Sequence, residues 1–109
     1  MSTLKDLAIQ YFAVFSNKDL DGLAGLFTDN PSLRDWGGLA EGKADVLSAN
    51  KTIFDNVDTI TVTPLSLYQD GNTIAAEIEV LINGGEKLLV VDVITFEDDK
   101  IASVRAYKG

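Results

Sequence analysis

The strongest chemical signal in this sequence is a carboxylic acid inside an apolar strand pattern. Asp92 stands in the run 88–96, and the side chains of a strand alternate between the two faces of its sheet. Its neighbours on the same face are all apolar: Leu88, Val90, Ile94 and Phe96. Because an ionised carboxylate there would cost several kcal/mol, we expect Asp92 to stay protonated, to pair with a lysine or arginine, or to reach solvent at a kinked sheet edge.

Two further side chains complete a set that could move a proton. Asp35 closes a short extended segment, 32–36, and Tyr11 lies on the apolar face of the first predicted helix. Each alone is more commonly structural, since loop carboxylates are usually solvated and a tyrosine on such a face usually belongs to the core. Together with Asp92 they offer one carboxylate to take a proton beside a carbonyl and two neutral donors to hold the resulting enolate oxygen.

The residue types that the sequence lacks exclude other chemistries. It contains no histidine and no cysteine, which excludes the Ser/His/Asp triad, imidazole or thiolate metal sites, and disulfides. We therefore expect neither a metal nor a cofactor. The net charge of −8, with only nine lysines and arginines, disfavours nucleic acid and anionic membranes as partners. It fits a small, neutral or apolar ligand.

Hydrophobic periodicity predicts the elements that must position these groups. Helical spacing of apolar residues predicts helices over 4–15, 20–27 and about 43–54. Alternation in the second half predicts four strands, over 60–67, 74–82, 87–97 and 101–107, joined by short turns. A slip in the alternation at Pro64 predicts a bulge or an edge. A four-strand antiparallel meander covered by helices on one face makes an α+β fold, which we expect to form one domain over 1–109.

These motifs, in this order, resemble the ketosteroid isomerases of the wider nuclear transport factor 2-like, or SnoaL-like, group. The stretch 10–27 is similar to the opening helices of that family and carries its oxyanion tyrosine position at Tyr11. The segment 32–35 resembles the strand that ends in the general base, here Asp35, and 91–96 resembles the strand of the protonated aspartic acid, here Asp92. The resemblance implies a cone-shaped fold with three N-terminal helices packed on a curved antiparallel sheet.

The resemblance also implies an activity, the cofactor-free shift of a C=C bond next to the carbonyl of a small, apolar, steroid-like ketone. Asp35 would take the α-proton and return it further along the conjugated system, while Tyr11 and protonated Asp92 donate hydrogen bonds to the dienolate oxygen. The substrate pocket is expected to include Phe15, Phe27, Trp36, Asn50, Phe54, Val90 and Ile94.

Three positions depart from the family pattern. Trp36 follows the general base where the family usually has proline, and Phe27 and Asn50 stand where some members have further tyrosines. Two other functions remain open. One is a non-catalytic module for small-ligand binding or dimerisation. The other is a polyketide cyclase-type enzyme that uses the same acid and donors on another skeleton.

The strand 87–97 also bears on partners. Its second face carries Leu89, Val91 and Val93, which is more apolar than a solvated face should be. We therefore expect a homodimer formed through the sheet. The first six residues show no basic segment followed by an apolar one, so we expect a cytoplasmic protein without an export signal.

Overall fold

The computed structural model describes residues 3–109, which form helices and a single mixed sheet. The helices are α1 (Leu4–Ser16), α2 (Leu20–Leu26) and α3 (Lys43–Asn56). The strands are β1 (Phe27–Asp35), β2 (Gly38–Glu41), β3 (Ile60–Asp70), β4 (Thr73–Ile82), β5 (Glu86–Glu97) and β6 (Lys100–Lys108).

Side-chain caps begin the first two helices. The Thr3 hydroxyl accepts a hydrogen bond from the Asp6 backbone N–H at 3.1 Å, and the Asp6 carboxylate accepts one from the Thr3 N–H at 3.2 Å. This capping box satisfies two N–H groups that would otherwise lack partners. Asp19 caps α2 in the same way, accepting from the Gly22 N–H at 2.9 Å.

The prediction for residues 27–31 was wrong. The periodicity extended the second helix through Phe27, whereas α2 ends at Leu26 and Phe27 begins β1. Pro31 lacks the N–H that a helix interior needs, and a strand can hold it only where the pairing is irregular. The pairing of β1 with β6 is irregular between Phe27 and Ser32, and this is where Pro31 lies.

The six strands lie in the order β2-β1-β6-β5-β4-β3. The meander from β3 to β6 is antiparallel throughout, as predicted, and its first hairpin shifts register between Pro64 and Ser66. The sheet is not wholly antiparallel, however, because β1 runs parallel to β6 and carries β2 at its outer edge. These two strands extend the predicted meander and bring the end of β1 beside β6.

The helices cover one face of this curved sheet and enclose the core against it. From α1, the side chains of Ala8, Tyr11 and Phe12 are buried towards the sheet, and from α3 those of Val46, Asn50 and Phe54. Over residues 3–109, no helix combines the length and the apolar character needed to cross a membrane.

Candidate active site

A cavity of about 300 Å³ lies between the helices and the inner face of the sheet. Its walls are apolar except for Trp36 and four polar side chains: Tyr11, Asp35, Asn50 and Asp92. An apolar cavity with a few convergent polar groups is typical of a small-molecule site, and such sites usually measure about 300–1,000 Å³. The volume therefore favours a compact ligand.

The register of three neighbouring strands places Asp35 and Asp92 in one row of the sheet. Asp92 on β5 stands opposite Ala106 on β6, and Arg34 on β1 stands opposite Arg105. One residue further along the same parallel register, Asp35 lies beside Ala106. Neighbouring strands are about 4.8 Å apart, so the Cα atoms of the two aspartates are separated by about 10 Å. Both side chains line the cavity from this row.

Small residues keep the space around Asp92 open. Its partner on β4 is Ala76 and its partner on β6 is Ala106. An alanine extends by a single methyl group, so neither neighbouring strand covers the Asp92 carboxyl with a bulky side chain. The cavity reaches that carboxyl as a result.

Asp92 is a buried acid that has no cationic partner among residues 3–109. Its side chain is only 7% exposed, and burial raises its pKa to about 7. The ion pairs found within residues 3–109 are Lys51–Asp55 and Lys87–Glu79, neither of which involves Asp92. Of the three expectations for this carboxyl, the structure therefore supports the neutral acid below about pH 7, in which state it is a hydrogen-bond donor.

Tyr11 supplies a second donor from α1. Its ring packs edge-on against Phe27, with 6.1 Å between the ring centroids, and the residue is 4% exposed. Burial, and secondarily the negative charge of Asp92, raises the pKa of the Tyr11 hydroxyl far above its usual value. The phenol therefore keeps its proton at any physiological pH. Tyr11 and Asp92 line the same cavity.

Asp35 differs from Asp92 in its surroundings. It is half-buried at the end of β1, and its Oδ1 accepts a hydrogen bond from the Gly37 N–H at 2.7 Å. This bond orients the carboxylate and leaves Oδ2 to accept a proton from a ligand. Trp36, beside it, is 57% exposed and also lines the cavity, so it marks the cavity mouth. The Lys108 ammonium lies 5.9 Å from the centroid of the Trp36 ring.

The pocket residues expected from the sequence fall into two groups. The cavity is lined by Phe15, Trp36, Asn50 and Val90. The other three do not line it and stand behind it: Phe27, Phe54 and Ile94. The Phe54 ring packs on Phe15 with 5.0 Å between centroids, and Ile94 is fully buried beyond Asp92 on β5. These three support the cavity wall without touching its space.

The pocket residues predicted from the sequence did not include the part of the cavity wall that comes from β3 and β4. These strands contribute a row of branched apolar side chains: Ile60, Val62, Ile78, Val80 and Ile82. The signal was present, since these residues are the inward positions of alternating strands. Alternation shows which face is buried but does not distinguish a wall that faces a cavity from one packed against a helix. Within residues 3–109 no group of three acidic side chains is arranged to hold a metal ion.

Comparisons with known proteins agree with this architecture. The family model described as a SnoaL-like domain matches residues 8–104. No curated protein matches the chain in sequence.

Solved structures resemble the chain over nearly its whole length. A protein from Kribbella flavida, provisionally named a ketosteroid isomerase, is 21% identical with a TM-score of 0.85, over 97% of this chain and 77% of that one. A provisionally named polyketide cyclase from Sinorhizobium meliloti is also 21% identical with a TM-score of 0.85, over 94% of each chain. A nuclear transport factor 2-like protein of unknown function from Cytophaga hutchinsonii is 14% identical with a TM-score of 0.84, over 100% of this chain and 92% of that one. At such identities the likeness establishes the fold, and the predicted nuclear transport factor 2-like α+β architecture is confirmed.

Proposed function

The chain belongs to the SnoaL-like domain family, and on this premise we propose that it is a cofactor-free isomerase of a small apolar ketone. The reaction moves a C=C bond into conjugation with the carbonyl by proton transfer through a dienolate. The observation that carries the proposal is that one cavity brings together the half-buried Asp35 carboxyl and two buried hydrogen-bond donors, the Tyr11 hydroxyl and, below about pH 7, the Asp92 carboxyl.

The chemistry needs one base and two donors. Oδ2 of Asp35 takes a proton from the carbon α to the carbonyl, and the electrons of that C–H bond move to the carbonyl oxygen to form the dienolate. Tyr11 and protonated Asp92 each donate a hydrogen bond to this oxygen. Asp35 then returns the proton to the γ-carbon, which restores the carbonyl and leaves the C=C bond conjugated.

The apolar walls increase the effect of these donors. A hydrogen bond to a developing oxyanion is stronger where water is excluded, and loss of one such donor typically reduces the rate by about 10²–10³. A steroid-like ketone is the class that the family resemblance implies, and the small cavity favours its compact members.

A non-catalytic module is less well supported by the same features. Such a domain would gain stability from an apolar residue at position 92, because a buried, unpaired carboxyl is destabilising. An aldol-type ring closure of a polyketide would use the same base and donors and stays the alternative enzyme class. This ring closure requires a ligand with several carbonyl groups. Beyond Tyr11, Asp35 and Asp92, the only buried polar side chain that residues 3–109 place in the cavity wall is Asn50.

The test is the substitution Asp35→Asn with a panel of β,γ-unsaturated ketones, followed by the ultraviolet absorbance of the conjugated products. Wild-type protein should convert at least one ketone, and the variant should lose turnover while keeping its fold and ligand affinity. Asp29→Asn, on an exposed position of the same strand, is the matched control and should keep full activity. Equal rates of ketone isomerisation in wild type and Asp35→Asn would contradict the assignment of Asp35 as the base. Absence of turnover by wild type on the whole panel would favour the binding module.

Two further properties belong to this proposal. We propose that the protein acts in the cytoplasm. We also propose a homodimer formed through the outer face of the sheet, where Leu89 is 56% exposed and Tyr107 53%. Large exposed apolar side chains on one sheet face support an interface between protein chains.

A further inference from the structure

Asn50 is a buried polar side chain that the proposed proton transfer does not use. It lies on α3, is 1% exposed, and lines the cavity. Its amide nitrogen Nδ2 donates a hydrogen bond to the Val46 carbonyl oxygen at 2.9 Å. An amide held inside an apolar wall loses its hydration, so its presence there calls for a compensating partner.

The bond to Val46 does not provide a structural reason for the side chain. In an α-helix the carbonyl of residue 46 already accepts the backbone N–H of residue 50. Replacing the amide by an apolar group would therefore leave no orphaned acceptor on the helix. Leucine at this position would be expected to stabilise the helix and the core, because its helix propensity is higher and it brings no polar atom.

The same bond determines the orientation of the amide. Only the nitrogen can donate to a carbonyl, so Oδ1 of Asn50 points away from the Val46 oxygen. Within residues 3–109 no group donates a hydrogen bond to Oδ1. In the same range, every side-chain oxygen that is fully sealed from solvent does have a hydrogen-bond partner, so Oδ1 is not fully sealed. Oδ1 therefore keeps contact with open space, and for a residue that is 99% buried this space is the cavity.

We propose that Asn50 binds a hydroxyl group of the ligand, so that the substrate class is a compact ketone that also carries a hydroxyl group. A carbonyl has no proton to offer Oδ1, so the group at Asn50 differs from the one that Tyr11 and Asp92 hold. A hydroxyl donates to Oδ1 and can accept from the second N–H of Nδ2, which matches both free positions of the amide. The carbonyl end of this ligand rests on the proposed function; the hydroxyl end rests on Asn50 alone.

A site of this kind selects between ligands because the wrong ligand leaves a buried polar atom of the protein without a hydrogen bond. A ligand without the hydroxyl would bury Oδ1 of Asn50 with no donor, and a lost hydrogen bond of this type typically lowers affinity by roughly tenfold. Selectivity for the hydroxylated ligand should therefore disappear when Oδ1 is removed.

The experiment compares Asn50→Leu with wild type in calorimetric titrations of 2-naphthol and of 1,6-, 2,6- and 2,7-dihydroxynaphthalene. A phenol oxygen on a planar ring resembles a dienolate, and the diols place a second hydroxyl at different distances from it. Wild type should bind at least one diol roughly tenfold more tightly than 2-naphthol. Asn50→Leu should bind that diol and 2-naphthol equally and should unfold at no lower urea concentration. Asn56→Leu, at the exposed end of α3, is the control and should keep the preference.

The possible results separate this inference from the proposed function. Wild type without a preference for any diol, a preference that survives in Asn50→Leu, or failure of every naphthol to bind would each overturn the inference. If Asn50→Leu fails to fold, Asn50→Ala takes its place and the same comparison applies. Loss of the diol preference in a protein that isomerises no ketone would support Asn50 as the hydroxyl site and reject the isomerase. Turnover that depends on Asp35, in a wild type that prefers no diol, would support the isomerase and reject Asn50 as the hydroxyl site.

Discussion

The buried carboxyl of Asp92 predicts that the protein loses stability as the pH rises. An aspartate in an unfolded chain titrates at 3.8, whereas burial raises the pKa of Asp92 in the folded protein to about 7. Between these values the folded protein keeps a proton that the unfolded chain has released. The free energy of unfolding therefore falls as the pH rises from about 4 to about 7, and the loss is complete above that window.

The size of this loss follows from the two pKa values. They differ by about three pH units, and each unit corresponds to about 1.4 kcal/mol, so the folded state loses about 4 kcal/mol. The free energy of unfolding of a small domain is typically about 5–15 kcal/mol, so this loss is roughly a third to most of it. Solvent screens the group little, since Asp92 is only 7% exposed. Asp92→Asn keeps the shape without the charge, so above pH 7 it should be more stable than wild type by up to about 4 kcal/mol.

The assay is urea unfolding followed by circular dichroism, at pH values from 4 to 8, for wild type and Asp92→Asn. Other carboxyl groups titrate in both proteins, so the difference between the two stabilities isolates Asp92. Asp70→Asn, at an exposed strand end, controls for the loss of one acidic residue. A difference that stays constant across this pH range would refute the assignment of Asp92 as a buried, unpaired acid. A variant less stable than wild type above pH 7 would instead indicate a cationic partner.

Two further predictions concern the cavity and the outer face of the sheet. Ala106→Leu should fill the space between Asp35 and Asp92, so it should abolish ligand binding measured by calorimetry without lowering the stability of the protein. The control, Ala75→Leu, lies on the opposite face of the sheet and should leave binding intact. Equal binding by the two variants would contradict the described cavity. Wild type should scatter light as a dimer, and Leu89→Glu should convert it to a monomer by placing a charge in the interface, whereas a wild-type monomer would reject the interface.

Much of the fold could be predicted because it depends on local patterns. The helices α1 and α3 show a period near 3.6, and the strands from β3 to β6 show alternation, with one slip at Pro64, between short turns. The strand β1 has neither signal. Its central residues, 28–30, are polar and partly or fully exposed, Pro31 interrupts its pairing, and its partner β6 lies some seventy residues away in the chain. Local pattern therefore predicted only the second half of this strand, as the extended segment 32–36.

The individual site residues were also accessible from local patterns, within limits. Alternation alone places Asp92 on the buried face of β5, and helical spacing places Tyr11 on the buried face of α1. Asp35 had a weaker signal, as an acid that closes a short extended segment, and its role as general base came from the resemblance to a family. The buried amide of Asn50 was visible as a polar residue on an apolar helix face, but its free Oδ1 was not.

The sequence by itself determined which side chains are buried, because burial follows the period of each helix or strand. The tertiary structure decided which of them meet. Asp35 and Asp92 share a row only because β1 runs parallel to β6 in one particular register, and the space between them is open because the residue of β6 that lies there, Ala106, is small. Strand register is set by pairing between distant segments, and a cavity is space that surrounding side chains leave unfilled. Neither is a property of any single stretch of the chain.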